Sequence, residues 1–173
     1  MKVKILLLLV FLFPFQIFCQ SKNTIDPIRF QIKNAGINVD GTISDWEYEI
    51  SFDPKNLIDS KIKATANPQS IETGIKLRDK HLQGRQYFNV EKFPEIRISS
   101  KRFTSKGKGR FVGIFELQVK DVKKEITIPF AMIKSGKNQR FSAEFTINRL
   151  DYGIGESSLV LGDEVKILIN FEK

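Results

Sequence analysis

The 173-residue chain sets 28 Lys and Arg against 20 Asp and Glu, for a formal charge of +8, and holds one cysteine and one histidine. A single Cys and a single His exclude a disulfide scaffold and a metal site built from several such ligands. The fold must therefore stand on its apolar core, and the length suits one domain.

The chain begins Met1-Lys2-Val3-Lys4 and continues as an apolar run over residues 5–15. That run is too short to span a hydrocarbon core, which needs about 20 residues. Two lysines ahead of it make the pattern of a secretory signal. The polar Gln20-Ser21-Lys22-Asn23 after Cys19 places cleavage behind that cysteine. Residues 1–19 are accordingly read as a signal peptide and 20–173 as an exported domain, periplasmic or secreted. Lipid modification of Cys19 would want a small residue before it, and the bulky Phe18 argues against such an anchor. Export also argues against nucleic acid as a partner.

Beyond the signal the dominant period is two, the mark of half-buried strands. Ile28, Phe30 and Ile32 share one parity, and residues 39–52 read as a single second strand carrying Trp46, Tyr48, Ile50 and Phe52 on one face. Residues 61–66 form a weaker third strand, closed by Asn67-Pro68. Residues 71–93 break the period. Leu77 and His81 stand four apart, so a short helix fits, with Thr73 as its cap and Gly84 at its end. Five further strands follow, marked by Ile96 and Ile98, by Phe111 to Val119, by Ile126 to Phe130, by Phe141 to Ile147, and by Val165 to Phe171. That makes eight strands, and most connections in the second half are short enough for hairpins, which makes those pairings antiparallel. A closed barrel of that size removes unpaired edges and is either filled by side chains or holds one small ligand.

The segment that breaks the period also carries a likeness to a known family. Thr73-Gly74, Arg78-Asp79-Lys80-His81-Leu82, Tyr87-Phe88-Asn89-Val90 and Phe93-Pro94 resemble the central signature of the YceI-like family. Residues 113–129 resemble its hairpin, Arg149-Leu150-Asp151-Tyr152-Gly153-Ile154 its late arginine–aromatic–glycine motif, and residues 162–171 its closing strand. The likeness runs from about Gly41 to the C-terminus. It implies an all-β, eight-stranded antiparallel lipocalin-like β-barrel, with one or two short helices between the third and fourth strands. It also implies an exported protein that holds a polyisoprenoid or similar long apolar molecule along the barrel axis. Asp121 stands where the family hairpin usually has glycine, and Asn34 where members often carry histidine.

Alternation supplies the candidate wall of such a lumen. It comprises Phe30, Trp46 and Ile50 from the first two strands, Phe88 and Phe93 from the helical segment, and Ile96 and Ile98 from the fourth strand. Phe115 and Leu117, then Phe141 and Phe145, and last Ile167 and Ile169 complete it. These side chains offer almost nothing polar to orient a small polar ligand, and they suit a polyisoprenoid, quinone-like or fatty-acyl chain. The same residues would equally serve a filled barrel, acting as a stress-response or protein-interaction module without cargo. Arg78 and His81 are the candidates for a headgroup contact. The densest basic group, Lys106, Lys108 and Arg110, reads as a solvated loop or as a peripheral contact with an anionic membrane surface. No catalytic residue, cofactor or metal ligand is expected. His81 has no second histidine beside it, and Gly153-Ile154-Gly155-Glu156-Ser157 does not fit a nucleophile elbow. Gly107-Lys108-Gly109 likewise lacks the spacing of a phosphate loop.

Overall fold

The computed structural model describes residues 25–136 and 138–173. The expected signal segment over residues 1–19, with Cys19, lies outside the described residues. The chain forms β1 (Ile28–Asn34), β2 (Ile37–Ile43), β3 (Trp46–Asp53), β4 (Asn56–Ala66) and β5 (Ile71–Glu72), then the helix α1 (Lys76–Gln83). It continues through β6 (Ile96–Gly107), β7 (Arg110–Val119), β8 (Val122–Ser135), β9 (Asn138–Asn148) and β10 (Leu161–Glu172). All ten strands belong to one sheet, in the order β3-β4-β6-β7-β8-β9-β10-β1-β2-β5. Every pairing in it is antiparallel.

The expected eight-stranded closed barrel is thus corrected to ten strands curled into a half-barrel. The reason lies at Ser44 and Asp45, where the long second strand breaks in two. Its first part, β2, pairs with β1 (Ile43 opposite Ile28), and its second part, β3, pairs with β4 (Trp46 opposite Ala66). One continuous stretch of chain therefore begins at one end of the sheet and finishes at the other. Between them Asp45 leaves the ladder. Its amide donates to Ser70 Oγ at 3.0 Å, and its carbonyl accepts from the Asn67 amide at 2.8 Å. A 3-10 turn over Pro68–Ser70 thus satisfies the backbone that the sheet has released. The two-residue β5 then pairs on the outer edge of β2.

The opening is drawn together by side chains rather than by a ladder. Tyr48 Oη on β3 donates to the Glu172 carbonyl on β10 at 2.8 Å, and Lys173 Nζ donates to the Ile50 carbonyl at 2.8 Å. Trp46 and Tyr48 both pack against the Phe171 ring, with centroids 5.9 and 4.4 Å away. Burial pushes the Tyr48 phenol above its ordinary value.

Helix α1 ends at Gly84 as expected, but Thr73 does not cap it. The helix starts after Ile75, which offers no side-chain cap. The Asp79 carboxylate instead reaches back to accept from the Thr73 amide at 2.8 Å and from its hydroxyl. Arg78 closes the knot, donating from Nε to Thr73 Oγ1 at 2.7 Å and from a terminal nitrogen to the Thr73 carbonyl at 2.6 Å. In the tight turn between β7 and β8 the left-handed residue is Lys120 (φ 57°), not Asp121. Lys120 is held there by a 2.7 Å hydrogen bond from its Nζ to the Gly153 carbonyl.

Candidate functional site

Along the axis, the inward side chains change character. On β7 the inward positions read Val119, Leu117, Phe115, Gly113 and Phe111, and all of them are buried. On β9 they pass from Ile147 and Phe145 to Ala143 and Phe141, and on β3 from Trp46 to Phe52. At the phenylalanine end the interior is filled. Phe52 sits among four rings, Phe103, Phe111, Phe130 and Phe141, at centroid distances of 5.2, 5.0, 5.5 and 5.8 Å. All four meet it edge to face, at 72–86°, the arrangement that aromatic quadrupoles favour. Met132 fills in beside them. The Phe115 ring lies over Gly113, where an added Cβ would stand 2.3 Å from it, so only glycine lets that ring fold flat.

At the other end the aliphatic side chains do not meet, and they enclose a cavity of about 670 Å³. Such a volume falls within the range of sites that bury small organic ligands. Each wall comes from a recognisable piece of the sheet. Ile28, Phe30 and Ile32 of β1 face Val165, Ile167 and Ile169 of β10, while Phe145 and Ile147 of β9 continue the surface. Ile96 and Ile98 of β6 and Leu117 and Val119 of β7 form the opposite side, with Leu82 and Phe88 laid across from the α1 segment. The lumen is therefore hollow over one half of its length and filled over the other.

Polar groups cluster where the cavity reaches solvent. They are Asn34 at the end of β1, Thr73, Arg78, His81 and Gln86 from the α1 segment, and Glu156, Ser157 and Ser158 from the loop before β10. Arg78 spends Nε and one terminal nitrogen on Thr73, so this part of its guanidinium is fixed. Among the described residues no group of three or more His, Cys, Asp and Glu could hold a metal ion.

The loop wall depends on Arg149, whose side chain is 2 % exposed. Its Nε donates to the Gly162 carbonyl at 2.9 Å, and its terminal nitrogens donate to the carbonyls of Ile154 and Glu156, each at 2.8 Å. A 2.8 Å ion pair with Asp163 completes the set. Gly155, at φ 69°, passes so close to Tyr87 and Arg149 that a Cβ would stand 2.9 Å from the tyrosine ring.

The model of the YceI-like domain matches residues 21–173. The chain belongs to the YceI-like family. A relative, the UPF0312 protein of Yersinia pestis (strain Pestoides F), is 29% identical over 152 residues, covering 84% of this chain and 79% of the relative. Among solved structures, Burkholderia cenocepacia BcnA superposes with a TM-score of 0.82 at 18% identity, over 86% of this chain and 99% of BcnA. A polyisoprenoid binding domain from Saccharophagus degradans, implicated in plant cell wall breakdown, gives 0.68 at 12% identity, over 84% and 91%. At those identities the two structures show a shared fold.

Nine of the thirteen residues expected in the wall line the cavity: Phe30, Trp46, Phe88, Ile96, Ile98, Leu117, Phe145, Ile167 and Ile169. So do Arg78 and His81 at its rim. The other four lie elsewhere. Phe141 belongs to the aromatic plug, with Ile50 packed against that plug. Phe115 folds over Gly113, and Phe93 carries the Lys92 ammonium 4.9 Å from its ring. Parity alone says which face a side chain takes, not how far along the axis the hollow extends. The basic group Lys106, Lys108 and Arg110 sits in the β6–β7 hairpin next to Phe111, at the plugged end and away from the cavity. Ile28, Ile32, Val165 and Ile147 also line the wall, and they share the parity of Phe30, Ile167 and Phe145 on the same strands. The loop 156–161 and the role of Arg149 beneath it had no periodic signal.

Beside this wall Tyr152 is 1 % exposed, and its hydroxyl meets no protein partner among the described residues. Burial, and secondarily the charge of Asp151, raises its pKa. Tyr152→Phe should therefore change stability by no more than about 1 kcal/mol in urea denaturation. A loss well beyond that would mean the hydroxyl is bonded in the folded protein.

Proposed function

We propose that the protein binds one long apolar molecule, a polyisoprenoid, quinone-like or fatty-acyl lipid, with its tail in the cavity and its polar end among Arg78, His81 and Glu156. The observation that carries this reading is the distribution of polarity. An aliphatic and aromatic wall runs inward to the phenylalanine plug, polar groups collect where the cavity meets solvent, and the buried Arg149 in the lining spends its donors on main-chain carbonyls and Asp163. Each methylene transferred from water into such a wall contributes about 0.8 kcal/mol before ordering costs. Affinity then grows with chain length and needs few hydrogen bonds. That a polyisoprenoid binding domain shares the fold supports the same ligand class. The protein is read as holding its ligand rather than transforming it, and as exported by way of residues 1–19.

Protein purified without detergent should yield a long-chain lipid on solvent extraction and mass spectrometry, and after delipidation should take up a long-chain apolar fluorophore. A lipid-free preparation that also refuses the fluorophore would sink the reading. Ile167 faces Phe30 on one side and Phe145 on the other, and all three line the cavity. Ile167→Glu should weaken fluorophore uptake by about tenfold or more, because a carboxylate there is desolvated without a partner. Ile58→Glu, in the exposed part of β4, should leave uptake unchanged.

A further inference from the structure

Seven large apolar side chains stand exposed among the described residues. Single exposed apolar residues are ordinary, but five of these seven gather around one opening. Ile75, Leu77 and Val160 line the cavity and are nonetheless more than half exposed, so the apolar wall continues out onto the surface. Leu159 is the chain neighbour of Val160 and is fully exposed. Ile37 stands beside them, since it pairs with Asn34, which in turn pairs with Leu161, and the Ala35 amide donates to the Val160 carbonyl at 2.7 Å. The hairpin between β1 and β2, the loop 156–160 and the start of α1 thus set exposed apolar side chains around the mouth of one cavity, the kind of exposed surface that marks an interaction site.

We propose that this rim is a docking surface for an anionic phospholipid bilayer, through which cargo enters and leaves the cavity. The inference rests on the lipid-binding reading above and names the partner of the same site. Two observations select a bilayer. First, the rim is continuous with the cavity lining, so a tail passing from an acyl layer into the lumen would remain on apolar surface throughout. Second, Lys33, Lys76 and Lys80 are exposed on the rim's own elements and form no ion pair among the described residues. Lys76 stands between the exposed Ile75 and Leu77 in the chain, half-buried Arg78 and Asp79 offset each other on α1, and the exposed acids of these elements are Asp40, Glu72 and Glu156. An apolar ring flanked by lysines is the pattern of interfacial binding, in which apolar side chains enter the headgroup boundary and cations meet acidic lipid.

The test is flotation of the full protein with phosphatidylcholine–phosphatidylglycerol vesicles and with phosphatidylcholine alone. Wild-type protein should float with the mixed vesicles and lose most of that binding on the neutral ones or at high salt. The double variant Ile37→Asp, Leu159→Asp alters two exposed side chains outside the cavity lining, and it should bind mixed vesicles about tenfold or more weakly. Its uptake of a soluble long-chain fluorophore should match wild type. Wild type that fails to float, or a double variant that floats equally well, overturns the proposal. So does a stable dimer in sedimentation that the double variant abolishes, because the rim would then belong to a second copy. Loss of fluorophore uptake in wild type, with vesicle binding intact, would instead remove the cargo reading and leave the docking surface standing.

Discussion

Replacing Arg149 with methionine should cost about 3 kcal/mol or more of stability, the loss expected when a buried, hydrogen-bonded ion pair is broken from one side. Three carbonyls at 2.8–2.9 Å and the Asp163 carboxylate converge on that one guanidinium. Its side chain is almost wholly shielded from solvent, so screening does little to discount the loss. Methionine keeps the volume and leaves those acceptors without a donor. Arg149→Lys should recover only part of the loss, because a single ammonium cannot reproduce a planar fork aimed at acceptors from residues 154 to 163. The urea midpoint should fall with an unchanged slope, which separates lost stability from a changed unfolded state. Ile154, Glu156 and, at 3.4 Å, Leu161 offer their carbonyls to this arginine and line the cavity, so fluorophore uptake should weaken too. A midpoint change worth less than about 1 kcal/mol would show that the loop holds its shape without the arginine.

The contrast between Arg149 and the strands shows what the sequence could reveal. A strand writes its inward face every second residue, so Phe30, Leu117, Phe145 and Ile167 could be assigned to one lumen from parity alone. Antiparallel pairing followed from short turns, and the helix end from Gly84. The break at Ser44 and Asp45 left one trace, a switch of inward parity from Val39, Gly41 and Ile43 on β2 to Trp46, Ile50 and Phe52 on β3, while the change of hydrogen-bonding partner was hidden. It depends on Ser70 and Asn67, some twenty residues further on. Arg149 was visible only as part of a family motif, since its acceptors are main-chain carbonyls that any residue could supply. The position of the plug was equally hidden. Phe115 and Phe145 are both inward phenylalanines, yet one folds over a glycine and the other faces the hollow.

That plug should set the length of the ligand, and Phe115→Ala is the variant that moves it. On β7 the inward side chains Val119 and Leu117 line the cavity, and Phe115 is the next one in. Its ring packs 5.8 Å from Phe103, a member of the filled end, and is 5 % exposed. Removing it should cost about 3–5 kcal/mol, the usual loss for a buried phenylalanine cut to alanine. It should also extend the hollow by the space of one ring. Each further methylene admitted is worth about 0.8 kcal/mol, or roughly fourfold in affinity. Across a homologous series of fatty acids or prenols, the tightest-binding length should therefore increase in Phe115→Ala. Phe111→Ala separates this effect from general loosening, because Phe111 lies two inward steps deeper, stacked on Phe130 at 5.4 Å. It should lose comparable stability while the preferred length stays put. Two variants equally destabilised, with the length preference moved in both or in neither, would mean that something other than Phe115 ends the cavity.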